Sequence, residues 1–474
     1  MCSVAASFQM IIYMAIVLYG PALALQQVTG INLWASVVSI GAVCTFYTSI
    51  GGIKAVVMAD VVMSAIKYVS IFLVAIKGAE DVGGAYEVFR KSYDGERLRV
   101  NDFSPDPTVR HSIWSLTIGG TFLWLNLYAV NQGWVQRYLS MPSVESVRRA
   151  LWINLFGVVF LQTALCFVGL VIYATYSDCD PLLTRRVTAP DQLSPMHVMD
   201  SLGAYPGITG LFVSGIFSGG LSAVSASISS LATTTTEDIV RGYIKRDLSL
   251  KASAALVKLF TVLFAVVIVA MVYVAQLMGD VLQAALSVVG IVGGPTVGVF
   301  TLGMFVPFAN CLGAIVGLIT ATGTLCWIAA GAFIRRPLAH RPPVSVEGCI
   351  NIYRNITGLN STVLPTVDVD LHNSGIEFAY KLSYLWYSLI GAFIVMALGS
   401  FISLLTVRCT RSAAVDERLL SPFVSRRKMR SAGAKKDGCE FSSSEDFLND
   451  KPKSATSDIF FIPPPEAGTT SPVS

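Results

Sequence analysis

The 474-residue sequence is poor in charged residues and in residues that hold metals or phosphates. Only 14% of its residues are charged, which is about half the share found in soluble domains. None of its four histidines is spaced as a metal-ligand pair, and its glycine pairs lack the strand and lysine of a phosphate-binding loop. A formal charge of +4 without a basic and aromatic pattern does not indicate nucleic-acid binding. These absences argue against an enzyme, a resident metal or a cofactor. The histidines are His111, His197, His340 and His372.

Hydrophobic residues, in contrast, make up 53% of the chain and gather in long runs. Most runs exceed the approximately 18 apolar residues that distinguish a membrane helix from a buried one. The first run, FQMIIYMAIVLYGPALAL, is too long for the core of a signal peptide and has no basic start. We therefore predict an all-α, polytopic protein surrounded by membrane lipid. Its ten predicted spans are approximately 7–27, 33–50, 55–77, 113–131, 151–175, 208–232, 253–275, 281–306, 309–334 and 385–407.

The distribution of basic residues predicts the orientation of these spans. Arginine and lysine concentrate in loops on the cytosolic side of membrane proteins, and three basic segments fall on the same side of ten spans. Both ends of this chain are then cytosolic, in a transmembrane domain of residues 1–407 followed by a tail rich in Ser, Lys, Asp and Pro that we expect to be disordered. The cytosolic segments are 132–150, 237–252 and the tail, 408–474. The exterior loops are 78–112, 176–207 and 335–384.

The predicted exterior loops carry two modification signals. Sequons at Asn355 and Asn360 predict N-linked glycans in loop 335–384, and hence a route to the plasma membrane. Of the nine cysteines, only Cys179 and Cys349 fall in exterior loops, where they either form a disulfide or remain two free thiols.

The segment SGGLSAVSASISSLATTTTED, residues 218–238, is densely lined with hydroxyl groups. In a membrane span these groups cannot all face lipid. They either bond to backbone carbonyls one turn back or face a polar cavity and hold a cation or solute. One or two serines per membrane helix are ordinary packing residues. The much higher density of hydroxyl groups here favours a binding site as an alternative to bonds with the helix backbone.

Six motifs of the chain resemble the sodium/solute symporter family. Besides the hydroxyl-rich segment they are IVLYGPALALQQVTGINLWAS (16–36), CTFYTSIGGIKAVVMAD (44–60), GGTFLWLNLYAVNQGWVQRYLS (119–140), SDCDPLLTRRVTAPDQLSP (177–195) and GDVLQAALSVVGIVGGP (279–295). The similarity covers approximately residues 5–407 and is specific to the branch of monocarboxylate, multivitamin and iodide cotransporters. It implies the amino-acid-transporter-like fold, in which two inverted five-helix repeats pack together with extra helices.

The same resemblance implies that the chain is shorter than its family. Members of this branch have thirteen helices, and the first span here matches their fourth. The expected missing part includes a broken helix that supplies half of the sodium site and much of the solute pocket. A truncated gene model and a shortened product with another role both fit this expectation.

The resemblance places sodium ligands on the hydroxyl-rich span. The positions of one carbonyl and two hydroxyl ligands fall on Gly219, Ser222 and Ala223. Ala223 has no hydroxyl, which removes one of the hard oxygen ligands that such a cation prefers. Ser225, one turn from Ser222, or a water molecule is the expected replacement. In the alternative interpretation, the Ser222 hydroxyl bonds back to the carbonyl of Ser218.

The resemblance also places a solute site around span 113–131. Trp124, Tyr128 and Gln132 recur every four residues, so a regular helix presents them on one face. Aromatic side chains suit a small organic anion, although a stripe packed against other helices fits the same pattern. Ala285 and Leu286 stand where the iodide carrier has a hydroxyl and an aromatic residue, which argues against iodide. The expected solute-binding residues are Tyr19, Trp124, Tyr128, Gln132, Gln283 and Leu286.

Two ionisable residues, Asp60 and Lys67, lie within one predicted span, two turns apart on one face. An ionisable residue inside a membrane is a functional candidate. Asp60 matches a short family turn near the cytosolic surface, which favours a structural role. Lys67 matches no family feature and has no assigned role.

Together these observations predict a plasma-membrane symporter that couples sodium to a small organic anion, a monocarboxylate or a carboxylate-bearing vitamin. Its mechanism would be alternating access, with sodium as co-substrate and no catalytic residue. The alternative is a truncated, non-transporting product that associates with full-length partners. Assembly with further copies of itself is compatible with both.

Overall fold

The computed structural model describes residues 2–98, 103–205, 207–244, 249–278, 281–335, 344–349, 375–406 and 420–421. The chain divides into two units, Met1–Val415 and Asp416–Ser474, and the second is described only at residues 420–421. The predicted disordered tail is otherwise outside the described residues, as are both sequons, Asn355 and Asn360.

The described part of the first unit is all-helical, as predicted, and contains no strand. Two π-helical turns, Ser115–Gly119 and Asn126–Val130, flank α4, and a third, Thr235–Ile244, extends α8. The helices are α1 (Cys2–Thr29), α2 (Leu33–Val82), α3 (Ala85–Asp94), α4 (Gly120–Leu125), α5 (Gln132–Leu139), α6 (Val144–Thr175), α7 (Leu193–Leu202), α8 (Ile208–Thr234), α9 (Leu250–Leu277), α10 (Val281–Phe305), α11 (Cys311–Arg335), α12 (Gly375–Lys381) and α13 (Trp386–Thr406).

Nine segments of the described chain are long and apolar enough to cross a membrane. They are α1, two halves of α2, α6, α8 with its extension, α9, α10, α11 and α13. The sequence predicts ten spans, and the difference lies at 113–131, where the apolar helix Ser115–Val130 is shorter than a full span.

The helix α2 is sharply bent, so that it supplies two of the predicted spans. Cys44 Sγ lies 3.9 Å from the carbonyl oxygen of Leu221, and Lys67 Cα lies 3.7 Å from the point where a β-carbon on Gly215 would be. Residues 44 and 67 would be about 35 Å apart on a straight helix, whereas residues 215 and 221 are about 9 Å apart on α8. The two halves, Leu33–Gly51 and Val56–Val82, therefore both pack against α8.

The helix at 113–131 runs without a break from Ser115 to Val130, because the residues that join its π- and α-helical parts all have helical backbone angles. A β-carbon on Gly119 would lie 2.6 Å from the carbonyl oxygen of Leu385, so only glycine permits this close approach before α13. At the other end, Asn131 is extended, with ψ of 125°, and its side chain accepts a hydrogen bond from Gly133 N at 2.9 Å, which starts α5. The apolar helix therefore ends at Val130, and α5 begins as a separate helix at Gln132.

Close backbone packing joins α10 to α13. A β-carbon on Gly294 would lie 2.5 Å from backbone atoms of Ser388, and one on Gly298 would lie 2.9 Å from Ala392. Small residues commonly allow membrane helices to approach closely in this way. A second core lies between α1, the first half of α2, α8, α9 and α10, where Ile16, Leu18, Ile228 and Ile268 are buried.

The two cysteines of the predicted exterior loops form a disulfide. The Cα atoms of Cys179 and Cys349 are 5.2 Å apart, and the bond joins residues separated by 170 positions. Backbone hydrogen bonds from Gly348 N to Asp178 O at 2.8 Å and from Asp180 N to Ser345 O at 3.0 Å join the same two segments.

Candidate functional site

The four predicted sodium-binding residues lie on α8 within two turns. Ser225 is fully buried, and its hydroxyl donates to the carbonyl of Ser222 at 3.1 Å. The hydroxyl of Ser222, which is partly exposed, has no hydrogen-bond partner among the described residues. The predicted alternative, a bond from Ser222 back to the carbonyl of Ser218, is therefore absent from the described structure. The hydroxyl of Ser218 itself bonds back to Gly215 O at 2.7 Å.

Glycines on α8 bring two neighbouring helices close to these residues. A β-carbon on Gly220 would lie 2.7 Å from Pro21 Cγ of α1. A β-carbon on Gly219 would lie 3.8 Å from Lys67 Cδ of α2. The candidate sodium ligands thus lie where α8 meets both helices, and Lys67, which sequence patterns left without a role, is beside them.

A cavity of about 330 Å³ opens between α1, α7 and α8. Gly220 and Gly20 line this cavity. Gly220 follows the candidate sodium ligand Gly219 in the sequence, and Gly20 follows Tyr19, so the cavity is next to both predicted sites. Its polar lining side chains are Asp191 and Ser194. Neither Tyr19 nor Gly219 itself lines the cavity.

The aromatic residues of the helix Ser115–Val130 and of α5 form a continuous row. The ring centroids of Trp124 and Tyr128 are 5.8 Å apart, as expected for two residues on one face, and the row continues to Trp134 at 4.7 Å and Tyr138 at 6.4 Å. The Tyr128 hydroxyl accepts a hydrogen bond from Asn154 Nδ2 of α6 at 2.9 Å. Sequence analysis missed Trp134 and Tyr138, although their four-residue spacing in α5 was a usable signal.

The expectation that Gln132 shares the face of Trp124 and Tyr128 is wrong. Because Asn131 is extended, Gln132 begins a new helix, and spacing by four no longer aligns it with the preceding span. Its side chain is exposed.

Gln283 lies in a polar cluster that sequence analysis did not predict. Its Oε1 accepts a hydrogen bond from the guanidinium of Arg110, five residues before the helix Ser115–Val130. The same guanidinium lies 5.9 Å from the ring centroid of Tyr384, and the Tyr384 hydroxyl is 2.8 Å from His111 Nε2. Desolvation, and then the charge of Arg110, lowers the pKa of His111. The position of Arg110, a basic residue directly before a predicted solute-binding span, was the sequence feature that could have identified it as a site residue.

Arg110 is half-buried and has no acidic partner among the described residues. A charge removed from water is costly unless an opposite charge or hydrogen bonds compensate it. Gln283 and the ring of Tyr384 compensate part of this cost but carry no negative charge. The arrangement therefore suits a carboxylate, which accepts two parallel hydrogen bonds from a guanidinium.

The predicted solute residues pack in different parts of the described structure. Leu286 packs on the buried cluster of Leu123 and Tyr384, close to the Arg110 and Gln283 pair. Tyr19 packs on the core that α1 shares with α2, α8, α9 and α10. Trp124 and Tyr128 form the aromatic row beside α6. Tyr19 and Leu286 thus contact different clusters, each of which includes residues of α10.

Asp60 forms an ion pair with Arg137, at 2.9 Å between its Oδ2 and Nη2. The guanidinium carbon of Arg137 also lies 5.7 Å from the ring centroid of Trp134. Asp60 thus joins α2 to α5 and the aromatic row, in accord with the structural role expected for it. In the described residues no group of three His, Cys, Asp or Glu side chains is arranged to hold a metal ion.

Comparisons with known proteins agree with this architecture. The human sodium-coupled monocarboxylate transporter 1 is 42% identical over 407 residues, which are 84% of this chain and 67% of that protein. The sodium-coupled monocarboxylate transporter 2 of Mus musculus is 43% identical over 417 residues, 87% and 66% of the two chains. A putative sodium-dependent multivitamin transporter of Drosophila melanogaster is 39% identical over 404 residues, 84% and 66% of the two chains.

The fold also has a solved relative. A Na⁺-coupled sialic acid symporter in a substrate-bound, outward-open state superposes with a TM-score of 0.63 at 22% identity, over 85% of this chain and 73% of that one. The chain spans about two thirds of the length of the curated relatives that it matches. Residues 2–321 match the sodium:solute symporter family, and the chain belongs to this family.

Proposed function

We propose that the protein couples sodium to the uptake of a small organic anion, a monocarboxylate or a carboxylate-bearing vitamin, across the plasma membrane. The observation that carries this proposal is the half-buried guanidinium of Arg110, which is hydrogen-bonded to Gln283 and has no acidic partner among the described residues. A carboxylate would supply the missing negative charge. The names of the relatives point to the same class of solute.

The geometry of α8 supports the sodium part of the proposal. The free hydroxyl of Ser222 and the carbonyl of Gly219 are hard oxygen atoms of the kind that sodium prefers. Gly220, which follows Gly219, is close to Pro21 of α1. Sodium bound here would give the Ser222 hydroxyl the partner that it lacks among the described residues.

Alternating access is the mechanism that this arrangement supports. Sodium and the anion bind from one side of the membrane, and one group of helices then moves against the other to open the opposite side. The inward movement of each positive charge is driven by about 2.3 kcal/mol per 100 mV of membrane potential. The Arg110 and Gln283 pair would orient the carboxylate, while the aromatic row next to α6 would contact the apolar part of the solute.

The test is uptake by the longest product of the gene that contains this chain, purified and reconstituted in proteoliposomes. Radiolabelled lactate, biotin and pantothenate are supplied with an inward sodium gradient or with choline in place of sodium. We expect accumulation of at least one solute only with sodium. Accumulation that is equal in choline, or of none of the three carboxylates by correctly inserted protein, contradicts the proposal.

A further inference from the structure

Lys67 extends along α8 toward the candidate sodium ligands. Its Cα lies 3.7 Å from the point where a β-carbon on Gly215 would be, and its Cδ lies 3.8 Å from the corresponding point on Gly219. The side chain therefore runs from Gly215 to Gly219, one turn further along α8 and in the direction of Ser222. Its Nζ lies two bonds beyond Cδ.

The ammonium group of Lys67 has no hydrogen-bond or ion-pair partner among the described residues, and the side chain is half-buried. Asp60, two turns away on α2, is paired with Arg137. An ammonium group only donates hydrogen bonds, and inside a membrane it requires acceptors or a counter-charge. Ser222, whose hydroxyl has no partner among the described residues, follows Gly219 by three residues on α8, about one turn further along the helix.

Ala223 makes this part of α8 poorer in ligands for a free ion. It occupies a position where the family resemblance implies a hydroxyl, so one oxygen atom is missing there. A tethered ammonium needs fewer oxygen ligands than a sodium ion, because its hydrogen bonds are directed and its chain is already held in place. The missing hydroxyl at Ala223 and the nearby positive charge of Lys67 thus both weaken the binding of sodium to this part of α8.

We infer that the ammonium group of Lys67 acts as a tethered cation that competes with sodium for the oxygen atoms of Gly219 and Ser222. This inference rests on the proposed sodium role of α8. Two like charges a few ångströms apart repel each other, so sodium binds only when the ammonium moves away. The protein then needs a higher sodium concentration than an equivalent site without the lysine.

The test replaces Lys67 with an apolar side chain of similar length and shape, Lys67→Met. Sodium half-saturation of uptake is compared in proteoliposomes for the wild-type gene product, Lys67→Met, Lys67→Arg and Lys258→Met, which removes a lysine from α9. Removal of a nearby like charge should lower the sodium half-saturation concentration roughly tenfold. Lys67→Arg and Lys258→Met should resemble the wild type.

A second measurement does not depend on transport. Sodium that binds the folded protein raises its melting temperature, so the melting temperature of purified protein in detergent is followed as sodium replaces choline. We expect the rise to begin at roughly tenfold lower sodium concentration in Lys67→Met, and this gain to disappear when Ser222→Ala is added. Melting without sodium shows whether the substitution itself disturbs the fold.

Three results would overturn the inference: an unchanged sodium requirement in Lys67→Met, a higher one, or no stabilisation by sodium in either protein. The first two leave the proposed symport intact, because the wild type still responds to sodium. The third, combined with uptake that is equal in choline, contradicts the proposed function as well.

Discussion

Asp60 and Arg137 lie 77 positions apart in the chain and form an ion pair of 2.9 Å that joins α2 to α5. The side chain of Asp60 is 15% exposed and that of Arg137 is 34% exposed, so the pair is only partly screened by solvent. The pair holds α5 against α2 within the segment that carries Trp134 and Tyr138.

Breaking this pair should destabilise the protein. We expect Asp60→Asn to lower the free energy of unfolding by about 1–2 kcal/mol, because Arg137 then loses its counter-charge in a partly buried place. Adding Arg137→Gln should recover part of the loss, since no uncompensated charge remains. Thermal melting of the two single variants and the double variant measures this coupling. Strictly additive effects would show that the two residues do not interact.

Arg110→Gln should weaken the apparent affinity for carboxylates. A charged hydrogen bond to a carboxylate contributes about 1.5–3 kcal/mol, which corresponds to a rise of roughly tenfold or more in solute half-saturation. Arg110→Lys should retain part of the affinity, because it keeps the charge but loses the two-pronged geometry. Uptake kinetics at saturating sodium provide the measurement. Arg90→Gln, which removes an exposed arginine from the same predicted loop, is the control, and an equal effect there would remove Arg110 from the site.

Ser222→Ala should raise the sodium concentration needed for half-maximal uptake, because a hydroxyl ligand is lost. Solute affinity measured at saturating sodium should change less. Ser218→Ala is the matched control, since the Ser218 hydroxyl is already bonded to the carbonyl of Gly215. Sodium titrations of both variants decide between a ligand and a packing residue, and equal curves would assign Ser222 to packing.

Removal of the disulfide should lower the melting temperature. Cys179→Ser and Cys349→Ser are each expected to cost about 2–5 kcal/mol, and the double variant should be no worse than either single one. Cys166→Ser changes an exposed free cysteine and should have little effect. Alkylation of the unreduced protein, followed by mass spectrometry, should leave Cys179 and Cys349 unmodified. Modification of either in the folded, unreduced protein would contradict the bond.

His197 should make the protein sensitive to acid. The side chain is fully buried in α7 and neither ring nitrogen has a hydrogen-bond partner, and desolvation lowers its pKa below the ordinary value of 6.5. The unfolded chain therefore takes up a proton first as the pH falls. The cost to stability is absent above about pH 6.5, grows as the pH decreases, and becomes constant below the pKa of the folded state.

Melting temperatures between pH 7.5 and pH 5 measure this effect. The variant His197→Leu should lose less stability over this range than the wild type. If both proteins lose the same amount, other groups cause the sensitivity to acid.

The sequence by itself determined the helical, membrane-spanning character and most of the spans. A long apolar run must leave water, and within lipid only a helix satisfies its backbone, so composition along the chain is sufficient. At 113–131 the described structure has the predicted apolar helix, Ser115–Val130, but it is shorter than a full span and ends where Asn131 becomes extended. The apolar pattern does not record where this helix ends.

Only the tertiary structure decided which polar residues meet. Arg110 and Gln283 are separated by 173 positions, and Lys67 reaches Gly219 only because α2 bends and its second half packs on the glycines of α8. The family resemblance located candidate residues on each helix, but neither it nor periodicity specified how the helices are placed relative to one another. That placement depends on close packing of small residues and on the compensation of charges inside the membrane, which are properties of pairs of helices and not of a single segment.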